Sequence, residues 1–297
     1  MKIVVTIFLL PYEIDDLDRI VNQLKMGSYL LSGNNEWVMD VTLCVANDMV
    51  DWKKSSIPKS YFVDRLHSMV ARADWCEASF KCSDDIKGCV SQRRTSLERY
   101  PDADYFIWLD CDIIFSERTL TFFEQAAEKL LATNPMVIIT PEIVRIWDHT
   151  WDCLVNEQYK SKPLGYQKNN DPFKDAGVKG NVSLEQVHNR ISGQPRFKIA
   201  GGWFTCISGK LLSRLGIPVS FGHYGLEDTF VMLAAEKIIK MTDAKVEQYK
   251  LKNLLVCENY KYRGHEYLDK HLSMINRKEE FRKVASDAFN SELSRIR

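Results

Sequence analysis

Residues Ala103–Phe115 read "ADYFIWLDCDIIF". Tyr105–Leu109 is an unbroken apolar and aromatic run that follows "YPDAD", and such a run predicts a fully buried strand. Two carboxylates, Asp110 and Asp112, stand one residue apart at its end. Ionised carboxylates beside a core are costly unless a cation or a dense set of hydrogen bonds compensates them. Aspartates two apart point the same way along a strand and can share a cation where it ends. The alternative is a strand-end turn in which both side chains cap loop amides.

Working outward, strand-like runs recur at Ile3–Leu10, Val38–Val45 and Met136–Thr140. Helical patterns lie between them, at Ile14–Leu30, Lys59–Ala71, Val90–Tyr100 and Thr119–Ala132. Strand alternating with helix predicts an α/β fold, a mostly parallel sheet flanked by helices. Ligands of such sheets bind beyond the carboxyl ends of the strands. Asp110 and Asp112 sit at that edge, as does Asp48 in "ANDMVD" after the second run, where a plain turn residue is the other reading.

The 297 residues suffice for one large α/β domain with a real core. Forty Lys and Arg balance forty Asp and Glu. That balance disfavours a broad non-specific nucleic-acid surface, although a local basic groove remains open. The eight cysteines are scattered with no CxxC pair, which fits free thiols in a reducing compartment better than disulfides or a zinc site. "MKIVVTIFLL" is too short to span a bilayer and lacks a small-residue cleavage site, so it reads as a first core strand. The expectation is a cytoplasmic chain without a transmembrane segment.

The character changes after "RIWDHTWD". Residues 148–198 are rich in Lys, Asn, Gly and Pro and lack apolar periodicity, which predicts a long flexible loop or lid. Residues 268–297 read as a charged amphipathic helix. Between them, "KIAGGWFTCISGKLL" holds Gly201-Gly202, where backbone can approach a ligand closely, and Trp203, either a flat face for a sugar or a core residue. "FGHYGLEDTFVMLAAEKI" then places Glu227-Asp228 at the start of a helix. The macrodipole alone favours acids there, but Gly222 and Gly225 around His223-Tyr224 make a more constrained loop than a cap requires.

Taken together, these segments resemble GT-A-fold, nucleotide-sugar-dependent glycosyltransferases, similar in layout to family 2 enzymes and to the β-1,4-galactosyltransferases. "WLDCD" resembles the DxD motif, which implies Asp112 on a divalent metal and Asp110 beside it, facing the nucleotide ribose. "GCVSQRRTSLERYPDADYFIWLDCD" resembles the family 2 layout with a basic residue upstream, Arg94 first and Arg93 next. "IAGGWFTCISGKLLSRLG" followed by "FGHYGLEDTFV" is similar to the galactosyltransferase Gly-Gly turn, helix and acidic pair. There Glu227 orients a substrate, Asp228 is the catalytic base, and Gly202 and Trp203 lie at the donor. "YKYRGHEYLDK" resembles the segment whose histidine, here His265, completes the metal site. The resemblance spans residues 3–270. "GHYG" stands in place of a "WGWG"-type sequence, so acceptor identity does not carry over. "LLPYE" stands in place of a "PTYN"-like turn, with Pro11 on the nucleotide side.

The resemblance implies one GT-A domain over residues 1–267 with a helical tail over 268–297. Its nucleotide half is about 1–147, its lid about 148–198 and its acceptor half about 199–267. It implies a nucleoside-diphosphate sugar donor, UDP-sugar first, and Mn²⁺ or Mg²⁺, since a carboxylate–imidazole site suits Mn²⁺ at least as well. The acceptor hydroxyl belongs to a glycan, a lipid-linked sugar, a protein or a hydroxylated base in DNA. A nucleotidyltransferase would open with a Gly-rich basic phosphate loop where "LLPYEIDD" is acidic. A glycoside hydrolase needs two carboxylates but neither a DxD nor a histidine ligand. A non-catalytic sugar-binding protein has little use for all four acids together with His265.

Overall fold

The computed structural model describes residues 1–145, 172–187, 190–191, 194–195, 197, 201–242, 244–259 and 275–296. The β-branched run Lys2–Leu9 (β1) lies at the centre, parallel to Glu36–Cys44 (β2) on one side and to Tyr105–Asp110 (β4) on the other. Glu77–Ser83 (β3) extends the sheet parallel to β2. Both faces are covered, so Val4, Val5, Ile7, Ile107, Trp108 and Val41 are all essentially without solvent contact. Continuous apolar runs are what a parallel sheet buried on both faces requires.

The order 3-2-1-4 is extended by Phe204–Ser208 (β8), which runs antiparallel to β4 and to Val137–Arg145 (β6). Beyond β6 lies Glu247–Glu258 (β9), parallel to β6 and antiparallel to the short Ile113–Ile114 (β5) and to Gly177–Gln186 (β7). The result is one mixed, mostly parallel nine-stranded sheet, the α/β class expected from the sequence.

Helices Ile14–Ser28 (α1), Lys59–Val70 (α2), Cys89–Arg99 (α3) and Thr119–Leu131 (α4) match the expected segments within about two residues. In α1 the buried residues Leu17, Ile20, Val21 and Leu24 follow helical spacing, which turns one apolar stripe onto the sheet. The short Pro172–Asp175 (α5), Gly209–Leu215 (α6), Glu227–Thr242 (α7) and Lys278–Arg295 (α8) complete the described helices. α8 buries Phe281 and Ala285 and stacks Phe289 on Phe221, with ring centroids 5.9 Å apart. Among the described residues no helix is long and apolar enough to cross a membrane.

One expectation needs revision. The segment 148–198, expected as a loop, contains strand β7. Its Val178, Val182 and Leu184 turn inward at alternate positions, a period-2 pattern too weakly apolar to stand out in the sequence. The strand expected over Tyr105–Leu109 does end at the aspartates, at Asp110, and after the turn at Cys111–Asp112 the pair Ile113–Ile114 leaves to pair with Cys257 and Glu258.

Candidate active site

The sheet order places the two aspartates at its switch point, where ligands of open α/β sheets bind. Asp110 closes β4 in register with Phe8 of β1, and Asp112 follows across the buried Cys111. Because β8 runs antiparallel to β4, the turn before it reaches the same edge, and the Asp110 amide donates to the Trp203 carbonyl at 3.0 Å. A single topological choice thus brings the "DCD" and "GGW" segments together.

Arg93, on α3, ties the edge into one unit. Its guanidinium pairs with Asp110 at 2.8 Å, with Glu227, and with the Gly202 carbonyl at 2.6 Å. It also lies 4.9 Å from the Trp108 ring centre. Its side chain is 5% exposed and that of Glu227 4%. A Cβ on Gly202 would collide with this guanidinium, which is the physical reason for glycine there. The neighbouring Arg94 turns away and donates to the Pro218 carbonyl at 3.0 Å. The arginine that pairs with Asp110 is therefore Arg93 and not Arg94, which the sequence ranked first. A signal was present: Val90, Arg93 and Leu97 share one face of α3, spaced three and four apart, and that face packs on the core.

Glu227 and Asp228 open α7 after a tightly wound loop. Gly222, Gly225 and Leu226 all have left-handed backbone, with φ of 67°, 94° and 67°. For a leucine that conformation costs about 1–2 kcal/mol, strain of the kind that clusters at functional sites. The Leu226 carbonyl accepts the first helical bond, from Phe230, at 2.8 Å. Asp228 accepts from the Gly202 amide at 3.2 Å and from the Thr229 amide at 2.5 Å. Asp228 is both a helix-terminal acceptor and a clamp on the Gly-Gly turn.

The electrostatics are dominated by negative charge. Burial first, and Asp112 and Asp228 next, push the Asp110 carboxyl up to about 6, although 42% of its side-chain surface is accessible. Glu227 is pushed up to about 7, by burial above all and by Asp228, against the attraction of Arg93. Glu13, whose carboxylate accepts from the Leu10 amide at 2.7 Å, is raised by burial and by Asp112 and Asp110. Arg93 stays cationic, because Glu227 and Asp110 outweigh the burial that opposes its charge. Five carboxyl groups thus act on one another, with Arg93 buried among them. Two of them, Asp110 and Asp112, offer hard oxygen donors of the kind Mg²⁺ and Mn²⁺ take. Among the described residues no group of three or more His, Cys, Asp or Glu side chains is arranged to hold a metal ion.

The remaining expected residues divide. Pro11 is buried in the turn that follows β1. Trp203 is packed into the core, 5% exposed, and not laid open as a platform. Asp48 is exposed on the loop after β2, within electrostatic reach of Arg277. His265 lies outside the described residues, as do residues 148–171, 188–189, 192–193, 196 and 198 of the expected lid. Sequence reading missed Glu13, whose "LLPYE" turn stood out only as a departure. It also passed over Tyr224, whose phenol burial raises, and Lys278, whose ammonium lies 4.9 Å from the Tyr224 ring centre.

No protein-family model and no curated protein sequence matches the chain. Among solved structures it is similar to the mannosyltransferase PcManGT from Pyrobaculum calidifontis in complex with GDP-Man and Mn²⁺. The identity is 13%, over 90% of this chain and 59% of that one, with a TM-score of 0.47. It is also similar to S. aureus TarS 1–349 in complex with UDP, at 12% identity over 85% and 60% with a TM-score of 0.43. A mycobacterial protein gives 13% over 99% and 74%, with a TM-score of 0.48. The chain spans about three-fifths of the length of the first two.

Proposed function

We propose that the chain is a metal-dependent glycosyltransferase that moves a sugar from a nucleoside-diphosphate sugar, UDP-sugar first, to an acceptor hydroxyl. The observation that carries this reading is the gathering of Asp110, Asp112, Glu227 and Asp228 at one sheet edge around a buried Arg93. An edge with that excess of carboxylates repels a diphosphate, so a donor of this class needs a divalent cation to bind there. Asp112 and Asp110 would hold it on oxygen, with His265 as the proposed third side chain. When bound, the cation supplies positive charge to the departing diphosphate.

The chain's own groups do the rest. Asp228 takes the proton of the acceptor hydroxyl as its oxygen bonds the anomeric carbon, and the bond from that carbon to the diphosphate breaks on the opposite side. The product sugar is inverted. An ionised carboxylate has about four acceptor sites, so Asp228 keeps capacity beyond its bonds to Gly202 and Thr229. Glu227, fixed by Arg93, orients the donor or acceptor sugar without reaching bulk water. Water must be kept out, because it competes as acceptor, and residues 148–198 apart from the sheet strand β7 are the proposed lid. The acceptor class is a glycan, lipid-linked sugar, protein or hydroxylated DNA base. Calorimetric titration with UDP and GDP tests the reading. One of them should bind with Mn²⁺ present and neither after chelation; equal binding in chelator contradicts it.

A further inference from the structure

A side-chain cation strengthens the binding of a diphosphate beside a metal, and the two arginines of the "QRR" run that precedes the "DCD" segment are committed elsewhere. Arg93 is enclosed by Glu227, Asp110 and the Gly202 carbonyl, and Arg94 serves the Pro218 carbonyl. A cation does reach this edge, from the far end of the chain. Lys278 begins α8, its ammonium lies over the Tyr224 ring at 4.9 Å, and Asp110 lies within its electrostatic reach. The residue is exposed, and among the described residues it makes no ion pair. Lys283 and Arg277 of the same region do, with Asp287 and Glu280.

Its position is fixed by packing. Phe281, one turn on, joins a cluster with Cys44, Ala46, Met49, Val50 and Tyr224, and its ring centre is 5.3 Å from that of His223. Ile275 donates its amide to the Met49 carbonyl at 3.0 Å. The first turn of α8 is thereby clamped between the loop after β2 and the Gly222–Gly225 loop, both at the carboxyl edge of the sheet. The aromatic face beneath the ammonium holds the cation without neutralising it, so its donors stay available.

We infer that Lys278 is the phosphate-binding cation of the donor site, its ammonium contacting the diphosphate of a nucleoside diphosphate beside Asp110. The inference rests on the donor reading above and adds to it that the C-terminal helix is part of the donor site. The test is calorimetry with UDP, GDP, UMP and GMP in Mn²⁺, on the full chain and its variants. Lys278→Ala should weaken the diphosphate that the parent binds by about ten-fold, the scale of one charge-assisted hydrogen bond. It should leave the matching monophosphate within about two-fold, and Lys278→Arg should recover most of the loss. Lys283→Ala, on the same helix, should change neither. If Lys278→Ala binds the diphosphate like the parent, the assignment fails and the donor reading stands. Equal weakening of mono- and diphosphate would make Lys278 a packing residue and also overturn it. If the parent binds no diphosphate, the donor reading falls and takes this inference with it.

Discussion

Glu227→Gln should abolish transfer while making the protein relatively more stable as the pH rises from 5 to 7. The Glu227 side chain is 4% exposed, and its carboxyl is raised from 4.5 to about 7 by burial first, against Arg93. An acid whose folded pKa is raised binds its proton more tightly in the folded state. Its stabilisation is therefore complete below about 4.5 and is lost as the pH climbs through about 7. At 1.36 kcal/mol per pKa unit, the loss that falls between pH 5 and pH 7 is about 2 kcal/mol. Glutamine keeps the shape and an acceptor oxygen for Arg93 but has no proton to lose, so the variant escapes that loss. Urea denaturation of parent and variant at the two pH values gives the difference directly. The parent should lose about 2 kcal/mol relative to Glu227→Gln across that interval. A gap that stays constant, or one that moves in the parent's favour, would mean that Arg93 holds the carboxylate ionised and that burial is not the dominant cause.

Asp228→Asn should leave metal-dependent nucleotide affinity intact and slow transfer by about 10²–10⁴-fold, the usual scale of general-base assistance; transfer near the parent rate would reduce Asp228 to a helix cap. Gly202→Ala should cost about 3 kcal/mol in chemical denaturation and eliminate transfer, because the new Cβ displaces a buried guanidinium from its ion pairs. An unchanged midpoint would show that Arg93 yields at no cost and is not the tie between the two acidic segments. His265→Ala should shift the Mn²⁺ dependence of nucleotide binding to higher metal concentration with thermal stability unchanged; an unshifted curve removes His265 from the metal set.

The parallel half of the fold was legible because its strands are continuous apolar runs and its helices carry a clear 3.6-residue stripe. Apart from the fully buried Phe204–Ser208, the described strands that escaped notice are half-buried or two residues long. Glu77–Ser83 is partly exposed along its length, and β9 mixes Lys250 and Lys252 with Leu251 and Leu254. That Asp110 and Asp112 lie at a sheet edge was legible because they close a buried strand, and that Glu227 and Asp228 open a helix was legible from the glycines before them. Which arginine turns inward depends on a rotation of about 100° between neighbouring helical residues. The stripe Val90–Arg93–Leu97 decides it, but only once the polar Arg93 is accepted as a member of an apolar face. Lys278 carried no such sign. Its charge looks like any other on a solvated helix, and only the packing of Phe281 against the β2 loop places it near Asp110.

The most direct measurement is nucleotide release from UDP- and GDP-sugars, with Mn²⁺ and after chelation, by the parent and by Asp112→Ala. The parent should release nucleotide from one of these donors in Mn²⁺ and lose that turnover with chelator. Asp112→Ala should show none at any metal concentration, while retaining the parent's cooperative unfolding. Metal-independent release, or an Asp112→Ala variant that turns over like the parent, would contradict the assignment of the "DCD" strand end as the metal-dependent donor site.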